Sequence, residues 1–234
     1  MSTTASVLTM IGLDALMIAF SLWVASMRNS LGRLLPALLV AFAVWLGVLH
    51  LGLSTRSFFP DDISGWAFLA VIFSGVGLVG LALLAVKPVR ALVERMGNDQ
   101  LLLLQGVRVF FGAGFLIQAS TGDLPAAFGI IDGITHISAG FFGLIAAFAV
   151  AACADGARRA WFANLFGLAD ILVVASTLAL VLLPQIGPHH PMMYAVFLPA
   201  PLWLWFHLFS IAKMRRARLS APQPVTGAHG CDDL

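Results

Sequence analysis

Along the chain, long apolar runs alternate with short polar breaks at a spacing close to the roughly 20 residues a helix needs to cross a bilayer. Seven such runs can be counted, at about 6–27, 34–54, 65–87, 101–120, 125–153, 161–183 and 192–214. The breaks between them carry turn and breaker residues. These include Asn29-Ser30 with Gly32, Pro60-Asp61-Asp62, Pro88, Gly97-Asn98-Asp99, Gly122 with Pro125, Asp155-Gly156, and the stretch from Pro184 to Pro191. Period-two alternation is absent, which argues against a transmembrane β-barrel. The pattern predicts an all-α integral membrane protein, a seven-transmembrane-helix bundle forming one domain over residues 1–218. The Pro-, Gly- and Ala-containing tail 219–234 shows no periodicity and is expected to be disordered.

Composition sharpens this reading. Of 234 residues, 60% are hydrophobic and only 10% charged, with a mean hydropathy of +0.97. An ordinary soluble domain carries roughly 25% charged residues. So much apolar surface calls for lipid as the solvent, and the bilayer is the first partner the sequence implies. The two cysteines, Cys153 and Cys231, show neither a paired framework nor a metal-ligand spacing, so the fold is expected to do without disulfides.

The net charge of +2 matters less than its placement. Arg28 and Arg33 lie in the first break; Lys87, Arg90 and Arg95 in the third; Arg158 and Arg159 in the fifth. Lys213, Arg215, Arg216 and Arg218 follow the last run, whereas the second, fourth and sixth breaks together hold only Arg56. Under the positive-inside rule this alternation puts the N-terminus outside and the C-terminus in the cytoplasm. A bacterial inner membrane is the expected location. The basic residues are thereby explained by topology, and no patch suggests nucleic acid.

Polar groups inside the apolar runs are the candidate chemistry, since each costs about 2.5–3.5 kcal/mol to insert and is retained for a reason. The stretch 105–143 holds Gln105, Arg108, Asp132 and His136, split by the polar break Ser120–Pro125. At 1.5 Å per residue, Asp132 falls about 10 Å from the outer face, Asp14 about 12 Å and His136 about 16 Å. Arg108, Asp170 and His207 fall at about 18–22 Å. These six residues, Asp14, Arg108, Asp132, His136, Asp170 and His207, are the transport or substrate-binding candidates. Convergence in the bundle interior is expected of them.

Spacing supports convergence. Asp132 and His136 are four apart, hence on one helix face, where a carboxylate can orient an imidazole. Gly129, Gly133, Gly140 and Gly143 run beside them, as do Gly112 beside Arg108 and Gly167 beside Asp170; small residues let helices approach closely. Arg108 can pair with Asp170 or with Asp14, and a buried pair of this kind can serve packing alone. His189 and His190 beside Met192 and Met193 have a soft-metal composition, but a polar outer loop is the simpler account. His229, Cys231, Asp232 and Asp233 read as a solvated tail.

Several functions are excluded. A retinal pigment needs a lysine within the last helix, and the only lysine there is Lys213 at its basic end. No phosphate-binding loop, HExxH motif or Gly-x-Ser-x-Gly elbow occurs. The expectation is a small proton- or ion-coupled transporter or channel acting on a small ion or solute. A non-catalytic subunit or sensor of a larger membrane complex, or a homo-oligomer, is the first alternative. A haem- or metal-dependent redox protein is the second. No cofactor is assigned, but His136 and His207 are the residues that haem or a metal ion would use.

Overall fold

The computed structural model describes residues 3–153 and 155–220. Of the described residues, 84% are helical and none lies in a strand. Two helices open it, α1 (Thr3–Ser26) and α2 (Leu34–Ser54), followed by α3 (Gly65–Ala85) and the short amphipathic α4 (Lys87–Arg95). Then come α5 (Asn98–Leu103), a 3₁₀ turn over Leu104–Val107, and α6 (Arg108–Ser120), which together make one continuous rod. The long α7 (Ala126–Ala151) and α8 (Gly156–Thr177) follow. A π turn at Leu178–Leu182 leads from α8 into α9 (Leu183–Ile186). Finally α10 (Met193–Phe197) and α11 (Pro199–Ser220) close the described chain.

Among the described residues, six rods are long and apolar enough to cross a membrane: α1, α2, α3, α5–α6, α7, and α8 continued through α9. This is the architecture of an integral membrane protein. The last apolar run differs from the other six. It is broken at Leu198 (φ −122°, ψ −67°), immediately before Pro199 and Pro201. Prolines are tolerated in a first helical turn because those N–H groups have no intrahelical acceptor. At its other end α11 continues through Lys213, Arg215, Arg216 and Arg218 to Ser220, two residues beyond the expected start of the tail. Residues 221–234, with His229, Cys231 and the aspartate pair, lie outside the described residues. Cys153, just past α7, is disulfide-bonded, so the expectation of a fold without disulfides fails there.

The hairpin of α6 and α7 forms the centre, and α8 packs along α7. Close approach explains the glycines. A methyl group at Gly112 would run into the backbone around Gly133 and Ile137, and one at Gly140 into Val109. Backbones this close gain dispersion contacts over their length, the main attraction between helices where lipid tails are as apolar as side chains. The turn Thr121–Leu124 reverses the chain through Gly122 at φ +77°, a left-handed conformation that favours glycine.

The outer elements attach through a few polar anchors. Trp45 of α2 donates from Nε1 to the Phe197 carbonyl at 3.0 Å. Trp205 of α11 donates to the Val76 carbonyl of α3 at 2.8 Å. His50 Nδ1 meets the Tyr194 hydroxyl at 2.6 Å. On the side holding the basic breaks, Arg28 pairs with Asp99 at 2.7 Å, and Lys213 donates to the Glu94 carbonyl at 2.8 Å.

Candidate functional site

The site is built by the middle of four rods. The 3₁₀ turn Leu104–Val107 matters first, because residues three apart eclipse one another in this geometry. It sets Gln105 and Arg108 on the same side, facing α11. Gln105 Nε2 donates to the Trp203 carbonyl at 3.4 Å. The Arg108 guanidinium lies over the Trp203 ring, 5.2 Å from its centroid, an arrangement that favours a cation electrostatically.

Arg108 is fully buried and forms an ion pair from Nη2 to Asp170 Oδ2. Its Nη1 reaches the Gly167 carbonyl and His207 Nε2, each at 3.5 Å. Gly167 has a reason to be glycine: a methyl group there would fall against the His207 ring and Arg108. The sequence left two partners open for Arg108, and the fold selects Asp170. Asp14 is equally buried, but neither of its carboxylate oxygens has a hydrogen-bond partner among the described residues.

One helical turn separates Asp132 and His136 on α7. His136 Nδ1 stands 2.8 Å from Asp132 Oδ1 and 3.4 Å from Asp170 Oδ2. The imidazole is held edge-on between aromatic rings, with Phe115 at 5.3 Å and Trp203 at 5.7 Å between centroids. Both Asp132 oxygens, Asp170 Oδ1 and His136 Nδ1 are buried without an aligned hydrogen bond to any described residue. Leaving such groups unsatisfied is expensive in a low-dielectric interior. The donor atoms of Asp132, His136 and Asp170 all lie within 4.8 Å of one another, a set able to hold a metal ion. A crevice between α3, α8 and α11, of about 40 Å³, reaches this cluster and is lined by apolar residues including Ile72, Ile171 and Leu204.

From Arg108 a polar column runs toward the end of the bundle that carries the basic breaks. His207 Nδ1 meets Asn164 Oδ1 at 2.9 Å. Asn164 Nδ2 donates to Ser210 Oγ at 2.7 Å, and Ser210 Oγ donates to Asn98 Oδ1 at 2.6 Å. These partners assign the His207 proton to Nδ1, leaving Nε2 as an acceptor facing Arg108. Of the six residues singled out from sequence, the fold joins Arg108, Asp132, His136, Asp170 and His207 and leaves Asp14 unbonded among the described residues. Asn98 and Asn164 were not anticipated. Asn164 had a visible signal, a polar residue one turn from Gly167 in an apolar run. Asn98 had none, because it reads as part of a turn.

On the opposite side, the loop before α10 caps the bundle. His190 accepts the Met192 N–H at Nδ1, 3.1 Å, so its proton is on Nε2, which donates to the Asp123 carbonyl at 3.0 Å. Burial pushes the His190 pKa below its ordinary value, against the pull of Asp123. His189 meets Asp61 at 3.3 Å.

Residues 66–215 match a family described as "Domain of unknown function (DUF8737)". The match covers more than half of the chain, from α3 to the basic end of α11, and so includes every residue of the cluster. The chain belongs to this family. No curated protein and no solved structure matches it.

Proposed function

We propose that this member of the DUF8737 family is a small proton- or ion-coupled transporter or channel of a bacterial inner membrane. In this reading it has seven spans, with α10 and α11 together serving as the last. Its N-terminus is outside and its C-terminus cytoplasmic. The alternation of basic residues between successive breaks supports this orientation. The length of α11, 22 residues, or about 33 Å at 1.5 Å per residue, supports its counting as a span.

The observation that carries the functional reading is the continuous polar column. It begins at the Asp132–His136–Asp170 cluster, passes through Arg108 and His207, and ends at Asn164, Ser210 and Asn98. Titratable groups in such a series inside a membrane suit a proton relay or an ion-binding path. His136 is the natural acceptor. It stands between two carboxylates, and a proton added there is stabilised by either of them. Asp170 is shared between Arg108 and His136, so a proton on His136 strengthens its hold on Asp170 and weakens the claim of Arg108. Such re-pairing gives two arrangements of the same charges, which an alternating cycle requires.

The test is proton flux in sealed vesicles, followed with a pH-sensitive dye. Asp132→Asn keeps the side-chain volume and removes the charge. Flux should fall at least tenfold while the variant elutes and melts like the parent. Parental flux from a folded Asp132→Asn protein sinks the relay.

A second reading, a non-catalytic subunit or an oligomer, is favoured by the outward face of α2. Val40, Val44, Trp45 and Leu51 are all exposed there, and a partner helix can cover such a face as well as lipid can. Co-purification at fixed stoichiometry distinguishes the two. Haem ligation by His136 and His207 has weaker support, because both ring nitrogens of His207 already face partners.

A further inference from the structure

We propose that Asp132, His136 and Asp170 form a binding site for a single first-row divalent cation. The site does not rest on the relay reading above.

Orientation is the first argument. His136 Nδ1 and Asp132 Oδ1 are only 2.8 Å apart, which is hydrogen-bond distance, yet neither atom has an aligned hydrogen bond to a described residue. The two atoms are close without being hydrogen-bonded to one another, which leaves both able to bind a third body. Asp132 Oδ2 and Asp170 Oδ1 are also buried without partners among the described residues. Three side chains thus present unsatisfied ligand atoms to one small volume.

Spacing is the second. The ligand atoms of the three side chains lie within 4.8 Å of one another, and the 2.8 Å between His136 Nδ1 and Asp132 Oδ1 is near the edge of about 3.3 Å expected for a tetrahedron with bonds of about 2.0–2.1 Å. The adjoining crevice of about 40 Å³ has room for about one water as a fourth ligand. Three protein ligands plus one exchangeable position is the arrangement of an open metal site.

Ligand chemistry narrows the ion. One imidazole and two carboxylates, without a thiolate, suit Zn²⁺, Mn²⁺ or Fe²⁺ and disfavour Cu⁺. Arg108 supports the site from outside by fixing Asp170 through Oδ2 while Oδ1 stays free, as outer partners of metal ligands commonly do. The titratable and charged groups facing the site are Arg108 from α6, Asp170 from α8 and His207 from α11.

The experiment is calorimetric titration of purified, chelator-stripped full-length protein with ZnCl₂ and MnCl₂. One ion per chain is expected. Asp132→Asn and His136→Gln should each weaken binding by at least about tenfold, since even loss of an outer-shell partner commonly costs 10–100-fold. The outer-loop variant His189→Gln should bind like the parent. Absorption of the Co²⁺-loaded parent, which needs no variant, should show the d–d bands of a nitrogen–oxygen site. Absence of saturable binding overturns the proposal, as does binding that survives in both cluster variants. Proton flux in a protein that binds no metal removes the cation and leaves the relay standing. Metal binding without any flux keeps the site and removes the relay.

Discussion

Two helices of membrane-spanning length are put to opposite uses. In α2, 6% of the membrane-length window is buried against the protein, whereas in the rod from Asn98 to Ser120 the share is 67%. The first faces outward with valine, leucine and tryptophan, and its side-chain anchors to the last rods are the Trp45–Phe197 and His50–Tyr194 hydrogen bonds. The second is enclosed, and among its buried residues are Asn98, Gln105, Arg108 and Gln118. Lipid solvates an apolar side chain as well as another helix does, so burial in a membrane protein is not driven by removing apolar surface from water. It is driven by polar groups that need partners and by glycines that allow close backbones. Where a helix has few of either, as in α2, it stays at the rim.

Substitutions can break this contrast, beginning with the centre. Arg108→Ala leaves Asp170 and Asp132 buried without their cation, and loss of one member of a buried pair costs about 3–5 kcal/mol. Thermal unfolding in detergent should show either that loss or a failure to accumulate folded protein. A smaller effect is expected at Gly167→Val, where the added side chain meets His207 and Arg108; overpacking of this kind costs about 1–3 kcal/mol. The same melting assay reads it, and α7 packing away from the contact should be unaffected.

The outer cap sharpens the comparison through pH. His190 has a folded-state pKa below its ordinary value because burial disfavours the cation. Above the unfolded pKa of about 6.5 both states are neutral there and His190 adds no pH dependence. As pH falls below that value the unfolded chain takes up the proton and the folded one does not, so stability falls, levelling off below the folded pKa. Melting temperature followed from about pH 7.5 to about pH 5 should decline in the parent, and His190→Gln should flatten the decline. The smallest effect belongs to the rim. Val44→Ala on α2 exchanges one lipid-facing apolar group for another and should shift stability by less than about 0.5 kcal/mol. A large loss there indicates a protein partner on that face and moves the balance toward the subunit reading.

Much of the site was legible because membrane insertion makes polar residues conspicuous. Asp132 and His136 declared a shared face by their spacing, and Gly112 and Gly167 marked where neighbours come close. Asn98 stayed hidden because a polar residue in a break is indistinguishable from a turn former until its helix is seen to begin there. Pairing was also beyond reach. Asp14 and Asp170 offer the same carboxylate, and depth along a helix says nothing of azimuth around the bundle.

The chain by itself therefore determined the helical class, the membrane as solvent and the set of buried ionisable groups, since each follows from local hydropathy and the 3.6-residue repeat. Tertiary structure decided which carboxylate Arg108 takes, that His207 serves a column through Asn164, Ser210 and Asn98, and that Asp14 is left unbonded among the described residues. Those outcomes depend on how each rod is rotated about its axis. That rotation is set jointly by glycine contacts and polar partners on several helices, and no single segment encodes it.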